Sequence, residues 1–295
     1  MELTFLGTAG ANGYPALWCQ CPNCAYARAH GGRNLRANAC AVVDREILLD
    51  LSPGMFDAAA RLGLDLSQAQ TLLLTHTHGD HYYPDHLLWR RGGTEFAGLP
   101  QAAWVTRRAT HCTPVPPLTV YGSRFVRECL ALATEWAGGE ASMEGTFFMR
   151  FEQLEPGIRR EGQGFAVTAV EANHGPEKGF AFSYILERDG KTLLYALDTG
   201  GFEADQIDIL RRYRYDCVVM EGTFGLCPEE DPGHMNTEKC RAWKRFFDDN
   251  RLWRGEPRFV LSHLTPHWTP PHDTYAPLMA AEGILVAYDG MTLTF

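Results

Sequence analysis

The order of elements along this chain predicts an α/β fold, a four-layer αβ/βα sandwich of two mixed β-sheets packed face to face, with helices on the outer faces. Three observations point to it. Short apolar strands alternate first with loops and then with helices, and they do so in each half of the chain. Some strands run straight into polar turns, as Thr71 to Thr75 does before His76. No internal repeat, low-complexity tract or linker interrupts the 295 residues, so a single domain over 1–295 is the simplest organisation.

Residues 1–7 read as a strand, with Leu3 and Phe5 alternating with their neighbours ahead of a glycine-rich turn at 7–13. Residues 19–32 read as a polar, cysteine-rich loop. A hairpin follows at 39–43 and 46–50, with Asp44 and Arg45 at its turn. Ser52 and Pro53 suit the N-cap and first position of a helix to about Leu62, which Gly63 ends. The strand 71–75 and a helix at 85–91 come next. Gly, Pro and Arg crowd 92–125, which suggests an irregular surface excursion, and 125–136 reads as a helix. Strands then dominate at 147–153, 165–172, 180–187 and 191–197. The last third alternates: helices near 203–213, 237–250 and 274–281, and strands at 217–220, 258–262, 284–288 and 292–295.

Composition bounds the function. Hydrophobic residues make up 45% and charged residues 21%, ordinary for a globular chain able to bury a large core. A net charge of −9 and a pI of about 5.7 argue against nucleic-acid binding by bulk attraction, although a local basic patch remains open. The first residues carry no positive n-region and no long apolar stretch, and no run is long enough to span a membrane. Nine cysteines without an export signal suggest reduced thiols or metal ligands, and a cytoplasmic location is expected.

The segment His76-Thr-His78-Gly-Asp80-His81 places three imidazoles and a carboxylate in six positions directly after an apolar strand. That donor set suits zinc, manganese or iron. Ligands so dense cannot all reach one ion from a regular strand or helix, whereas a turn at Gly79 can present them to two neighbouring ions. A histidine-rich surface loop is the alternative, and only 11 histidines in the whole chain weigh against it.

Here the sequence resembles the metallo-β-lactamase superfamily, whose HxHxDH signature is met in full. The resemblance implies further ligands at later strand ends: His174, Asp198 and His263. By the family pattern His76, His78 and His174 hold one ion, Asp80, His81 and His263 the other, and Asp198 serves both. Asp50, closing a strand at Ile47 to Asp50, stands where the superfamily often has a carboxylate supporting the ligand loop; a turn aspartate is the equal alternative.

Cys19, Cys21 and Cys24 form a CxCxxC cluster that can converge on a tetrahedral structural zinc. With the strand ending Leu6-Gly7-Thr8 and the closing Tyr288-Asp-Gly-Met-Thr-Leu293, it resembles the PhnP-type cyclic phosphodiesterases and, with less of the histidine motif kept there, PqqB-like proteins. In PhnP-type proteins a histidine three residues beyond the last active-centre histidine completes that zinc site. Pro266 stands there in this chain, so His267 is the first candidate and His272 the second. Cys40, Cys112, Cys129, Cys217, Cys227 and Cys240 have no partner at ligand spacing.

The implied enzyme is a dinuclear metal-dependent hydrolase using a hydroxide bridging two ions, which needs no serine or cysteine nucleophile. The expected cofactors are two divalent ions, zinc or manganese with iron as a further option, plus one structural zinc. Candidate catalytic residues are Asp80, itself a ligand, and His234, which the PhnP resemblance places facing the substrate. Arg90, Arg91, Arg107, Arg108 and Arg124, among Trp89, Trp104 and Tyr121, could meet phosphate or a base, and none is assigned a role. The expected partner is a small-molecule phosphodiester, with no nucleic acid and no membrane, and a homodimer is compatible with the sequence. Two alternatives stay open: tRNA 3′-end processing, because ribonuclease Z shares the HTHGDH-type motif, and a PqqB-like protein binding a cofactor precursor.

Overall fold

Two seven-stranded sheets frame the protein in a computed structural model that describes residues 1–88, 90, 115–136, 142–229 and 231–295. The first sheet takes β1 (Glu2–Gly7), β2 (Cys40–Val43), β3 (Ile47–Leu49), β4 (Thr71–Leu73), β5 (Leu118–Gly122), β6 (Met149–Gln153) and, at its far edge beside β1, β14 (Thr292–Thr294). The second runs in reverse chain order, from β13 (Ile284–Val286) through β12 (Phe259–Ser262), β11 (Cys217–Glu221), β10 (Lys191–Ala196), β9 (Phe182–Arg188) and β8 (Phe165–Glu171) to β7 (Arg159–Gly162). Both are mixed: β3 to β6 and β10 to β13 pair in parallel, the remainder antiparallel.

Strand periodicity explains the layering. Successive side chains point to opposite faces, and strands covered on both sides become continuously apolar. On β10, Leu193 and Tyr195 enter the core between the sheets, where Leu3, Phe5, Leu73, Val219 and Val260 also meet. Leu194 and Ala196 face the other way, toward α6 (Ala204–Leu210), α7 (Thr237–Asp249) and α8 (His272–Ala280), packing with Leu210, Phe247 and Met279. The first sheet is covered by α2 (Met55–Leu62) and α4 (Arg124–Trp136), whose Met55, Ala58, Val126 and Leu130 pack on Leu72 and Val120. The expected four layers are therefore present. No helix among the described residues is long and apolar enough to cross a membrane.

Three local expectations are corrected. Part of the supposed loop at 19–32 is helix α1 (Pro22–His30): the Cys21 side chain accepts the Cys24 backbone N–H and Pro22 opens the first turn, so two of the three clustered thiols sit at the helix N-terminus. Ser52 does not cap α2, which starts from Gly54; its hydroxyl donates to the Cys40 Sγ at 3.0 Å. The supposed excursion at 92–125 contains β5, fully buried between β4 and β6, so its described end is sheet interior. A short helix, α3 (Asp85–Leu88), and another, α5 (Met143–Phe147), complete the described set. The expectations attached to Trp89, Arg91, Trp104, Arg107, Arg108 and Cys112 lie outside the described residues. Of the others, Arg90 donates to the Pro116 carbonyl at 2.7 Å and Arg124 pairs with Glu177 at 3.2 Å, while Tyr121 is core.

Candidate metal centre

Every candidate ligand leaves a strand at its C-terminal end, and all these ends lie at one rim of the two facing sheets. His76, His78, Asp80 and His81 follow β4, His174 follows β8, Asp198 follows β10 and His263 follows β12. Since β8, β10 and β12 point the same way through the second sheet, their ends deliver side chains to a common place. Three residues there, Asp50 (φ 65°), Asp198 (φ 46°) and His263 (φ 57°), hold the left-handed backbone conformation that non-glycine residues seldom adopt. Such conformations persist where surrounding structure enforces them, often at functional sites.

The donor atoms fall into two overlapping sets. His76, His78, His174 and Asp198 form one, and Asp80, His81, His263 and Asp198 the other, with all donors of a set within 4.8 Å of each other. Within the first, His78 Nδ1 lies 3.0 Å from both His76 Nε2 and His174 Nε2. Within the second, His81 Nε2 lies 3.0 Å from His263 Nε2, and Asp80 Oδ2 3.2 Å from His263 Nε2. Asp198 Oδ2 stands between them, 3.2 Å from His76 Nε2 and 3.1 Å from His81 Nε2.

Whether cations suit these sets can be judged from where the imidazole protons go. His81 donates through Nδ1 to Asp50 Oδ2 at 2.8 Å, and Asp50 Oδ1 in turn accepts from the Thr75 backbone and hydroxyl, each at 2.8 Å. With that hydroxyl proton committed, Thr75 Oγ1 accepts from His76 Nδ1 at 3.0 Å. His263 Nδ1 reaches Thr223 Oγ1 at 2.9 Å, and His174 Nδ1 donates to the Gly233 carbonyl at 3.1 Å. Each of these rings is thus left with a bare Nε2 lone pair facing the cluster. Two nitrogens 3.0 Å apart, as at His81 and His263, repel unless a cation or a proton lies between them; burial opposes a proton on His81, but Asp198 and Asp50 outweigh it and raise the group well above its ordinary value. Donors at about 2.0–2.1 Å from one ion sit roughly 3.0–3.4 Å from each other, so the spacing fits shared coordination. Burial holds the His76 imidazole down to about 3, against the pull of Asp198, and lowers His78 and His174, which keeps these nitrogens unprotonated. Asp198 Oδ1, buried, accepts no well-aligned hydrogen bond among the described residues, with His263 Nδ1 3.0 Å away. The donor set fits two divalent cations.

Sequence reasoning missed Glu221, the buried carboxylate at the end of β11. Its Oε1 accepts from the Thr199 backbone at 3.0 Å and from His234 Nδ1 at 2.9 Å, and its Oε2 from the Thr223 backbone at 3.0 Å. His234 thereby stands beside the cluster, its ring centroid 4.8 Å from His174 and its Nδ1 3.8 Å from Asp198 Oδ1. A lone acid closing the apolar run Cys217 to Met220 was the available signal. The loop bearing His234 is pinned by Lys239, whose ammonium donates to the Asp231 carbonyl at 2.6 Å, and it leans on Gly200, where a Cβ would meet the Pro232 carbonyl at 1.8 Å. Gly200→Ala is therefore expected to lower stability by about 1–3 kcal/mol through overpacking and to reduce turnover by displacing His234. Chemical denaturation alongside a rate assay checks it, and unchanged values for both would show that the loop gives way freely.

Cys19, Cys21 and Cys24 converge as expected, their sulfurs within 4.8 Å of each other. Each sulfur accepts a backbone N–H: Cys19 from Cys21 (3.4 Å), Cys21 from Cys24 (3.5 Å) and Cys24 from Ala16 (3.3 Å). The histidines proposed as fourth ligand are not part of this group. His267 lines the cavity over the His and Asp donor cluster, and His272 Nδ1 is engaged by Arg36 at 3.0 Å. At His267 the chain instead brings the preceding Pro266 carbonyl to 4.0 Å from the Cys21 sulfur, where it also accepts from the Asn23 amide at 2.8 Å.

Comparison with known proteins gives the following. A family model described as "Beta-lactamase superfamily domain" matches residues 45–254, more than half of the chain. Ribonuclease Z of Listeria innocua is 27% identical over 213 residues, which cover 70% of this chain and 56% of that protein; the chain thus spans about half the length of the curated relatives it matches. Among solved structures, a diphosphatase of the PhnP family superposes with a TM-score of 0.71 at 17% identity, covering 100% of this chain and 96% of the other. Zinc-bound PqqB from Methylobacterium extorquens gives 0.70 at 20% identity, covering 100% of both chains. The short form of human tRNase Z gives 0.61 at 18%, covering 100% and 99%.

Proposed function

The chain belongs to the β-lactamase superfamily, and from that premise we propose that it is a dinuclear metal-dependent hydrolase acting on a small phosphodiester. The observation that carries the reading is the position of Asp198, whose Oδ2 touches histidines of both donor sets at 3.1–3.2 Å. When bound, a pair of divalent cations supplies an activated water and a clamp for the phosphate oxygens. The groups that would hold them are His76, His78 and His174 on one side, Asp80, His81 and His263 on the other, and Asp198 for both. Cys19, Cys21 and Cys24 would hold a third, structural ion.

The remaining work falls to the protein's own side chains. Water adds to phosphorus as one ester P–O bond breaks, and the departing alkoxide needs a proton. His234 is the donor in this reading. Burial disfavours its charged form, but the Glu221 carboxylate, with Asp198 and Asp231 beyond it, outweighs burial and pushes the imidazolium up to about 9. It is therefore protonated near neutral pH, and with Nδ1–H held by Glu221 the Nε2–H is the proton left for the leaving oxygen. Glu221 is in turn fixed by two backbone N–H groups, so the pair is held in place before substrate arrives.

Hydrolysis of bis-p-nitrophenyl phosphate, abolished by EDTA and restored by manganese or zinc, is the expected result, with about three ions per chain by elemental analysis. Absence of turnover on any phosphodiester with metals fully loaded would falsify the proposal. The curated relatives support a second reading, processing of tRNA 3′ ends, which cleavage of a precursor tRNA would favour. A PqqB-like binding role gains support if the loaded centre turns over no ester.

A further inference from the structure

Four of the five clustered imidazoles are oriented by a hydrogen bond at the ring nitrogen that faces away from the donor group: His81 to Asp50, His76 to Thr75, His263 to Thr223 and His174 to the Gly233 carbonyl. Such partners fix a ligand's tautomer and direction, and losing one typically costs about 10–100-fold in metal affinity. His78 is held differently. It turns Nδ1 to the cluster, 3.0 Å from His76 Nε2 and from His174 Nε2, so its proton belongs on Nε2. The residue is exposed, so that proton is open to water, which fixes no direction.

What steadies the His78 ring is another ring. The centroid of Phe180 lies 5.2 Å from that of His78 and 5.8 Å from that of His76. Both distances fall in the range of roughly 4.5–7 Å over which tilted and edge-on aromatic pairs attract. Phe180 is itself fixed. It is buried, and Phe125, at the start of α4, packs on it at 5.5 Å. The loop that leaves His174 folds back over it: Gly175, at φ 90°, comes so near that a Cβ would sit 2.1 Å from Phe180 Cδ1. The backbone is tied as well, the Phe180 N–H donating to the Glu177 carbonyl at 3.2 Å and the Gly179 N–H to Glu171 Oε1 at 2.7 Å. Phe180 therefore packs on two ligands, His76 and His78, and on the segment that carries a third, His174. All three belong to one donor set, and none to the set of Asp80, His81 and His263.

We propose that Phe180 is a positioning residue for His78: its ring does by packing what a hydrogen bond does for the other four imidazoles, so it governs retention of the ion at His76, His78 and His174 and not of its neighbour. The inference rests on the dinuclear reading and adds to it an unequal dependence of the two ions on one apolar side chain. Removing the ring opens a void beside an exposed imidazole, which is then free to turn from the cluster. His81, by contrast, stays clamped by Asp50.

The test titrates metal-free protein with manganese, which suits nitrogen and oxygen donors and is a poor match for the three thiols. The free aqueous ion is followed by electron paramagnetic resonance, and bound ions are counted by difference. Wild-type protein is expected to take up two manganese ions per chain. Phe180→Ala should bind one of them as the wild type does and the other about 10–100-fold more weakly. Raising manganese should then restore its turnover of bis-p-nitrophenyl phosphate, which a collapsed fold would not allow. Phe180→Leu keeps apolar bulk without the flat ring; it should show the same one-sided loss at a few-fold, and it decides the matter if F180A does not fold. Met279→Ala, which opens a void among the outer helices, should lower stability and leave the affinity for both ions unchanged. Two ions held as in the wild type by both Phe180 variants, or two ions weakened alike, overturns the inference and leaves the dinuclear reading standing. Failure of the wild type to take up a second manganese ion removes the dinuclear reading and the inference with it.

Discussion

Replacing Asp198 by alanine is expected to empty most of the active centre of metal and to lower phosphodiester turnover by on the order of a thousandfold or more. The size follows from position. Asp198 Oδ2 lies within 3.1–3.2 Å of a histidine from each donor set, and among the described residues no other carboxylate touches both. Its loss removes one of four donors from each ion at once, together with the negative charge that offsets two dications. Metal assistance is worth several kcal/mol of transition-state stabilisation, and each 1.36 kcal/mol is tenfold in rate. The cysteine group shares no donor with this centre, so total metal should fall from about three ions per chain toward one, measured by elemental analysis after dialysis. Bound metal also stabilises the folded state by mass action, so the drop in melting temperature that EDTA causes should shrink in D198A. A variant that keeps three ions and near-normal turnover would refute the shared role of Asp198.

What the sequence disclosed about this centre depended on how locally each signal was written. His76, His78, Asp80 and His81 crowd into six residues, and three imidazoles with a carboxylate have few bland explanations at that density. His174, Asp198 and His263 are single residues at the ends of apolar strands; they became legible through the family resemblance, and through strand-end placement the fold brings them together. Glu221 has the same placement and went unnoticed, because its partner is His234, thirteen residues on, across a loop whose course no local pattern specifies. The sequence alone leaves Asp50 between a supporting carboxylate and a turn residue. Its contacts with His81 and Thr75 make it the group that orients the ligand loop. The layers were readable because periodicity two on buried strands is a strong signal, whereas β5 was hidden by the prolines just before it and α1 by the cysteines that cap it. The placement of His267 failed for a geometric reason: a turn displaced by one residue sends successive side chains to different sides, here to the cavity in place of the thiols.

His234→Ala is expected to slow turnover by about 10²–10⁴-fold, and the loss should depend on what leaves. A poor leaving group such as a ribose oxygen needs the proton that His234 holds, whereas p-nitrophenolate is stable as an anion and departs without it. The penalty for H234A should therefore be large with a cyclic ribose ester and small with bis-p-nitrophenyl phosphate. A purely structural role would slow both alike. The pH profile supplies the complementary test. The imidazolium of His234 is pushed up to about 9 by Glu221 against the effect of burial, so the acid form is present at neutral pH and is lost as pH rises through about 9. The same sign governs stability: a raised folded value means that the Glu221–His234 pair contributes fully below about pH 6.5, the ordinary histidine value, and loses that contribution as pH climbs through the folded one. Glu221→Gln keeps the shape and the hydrogen bond to Thr199 or Thr223 but removes the charge. Its basic limb should move down by roughly two pH units, toward the ordinary value, and its rate at pH 8 should fall more steeply than its rate at pH 6. If the limb stays near pH 9 in E221Q, the titrating group is something other than His234, and the proton for the leaving oxygen must come from elsewhere.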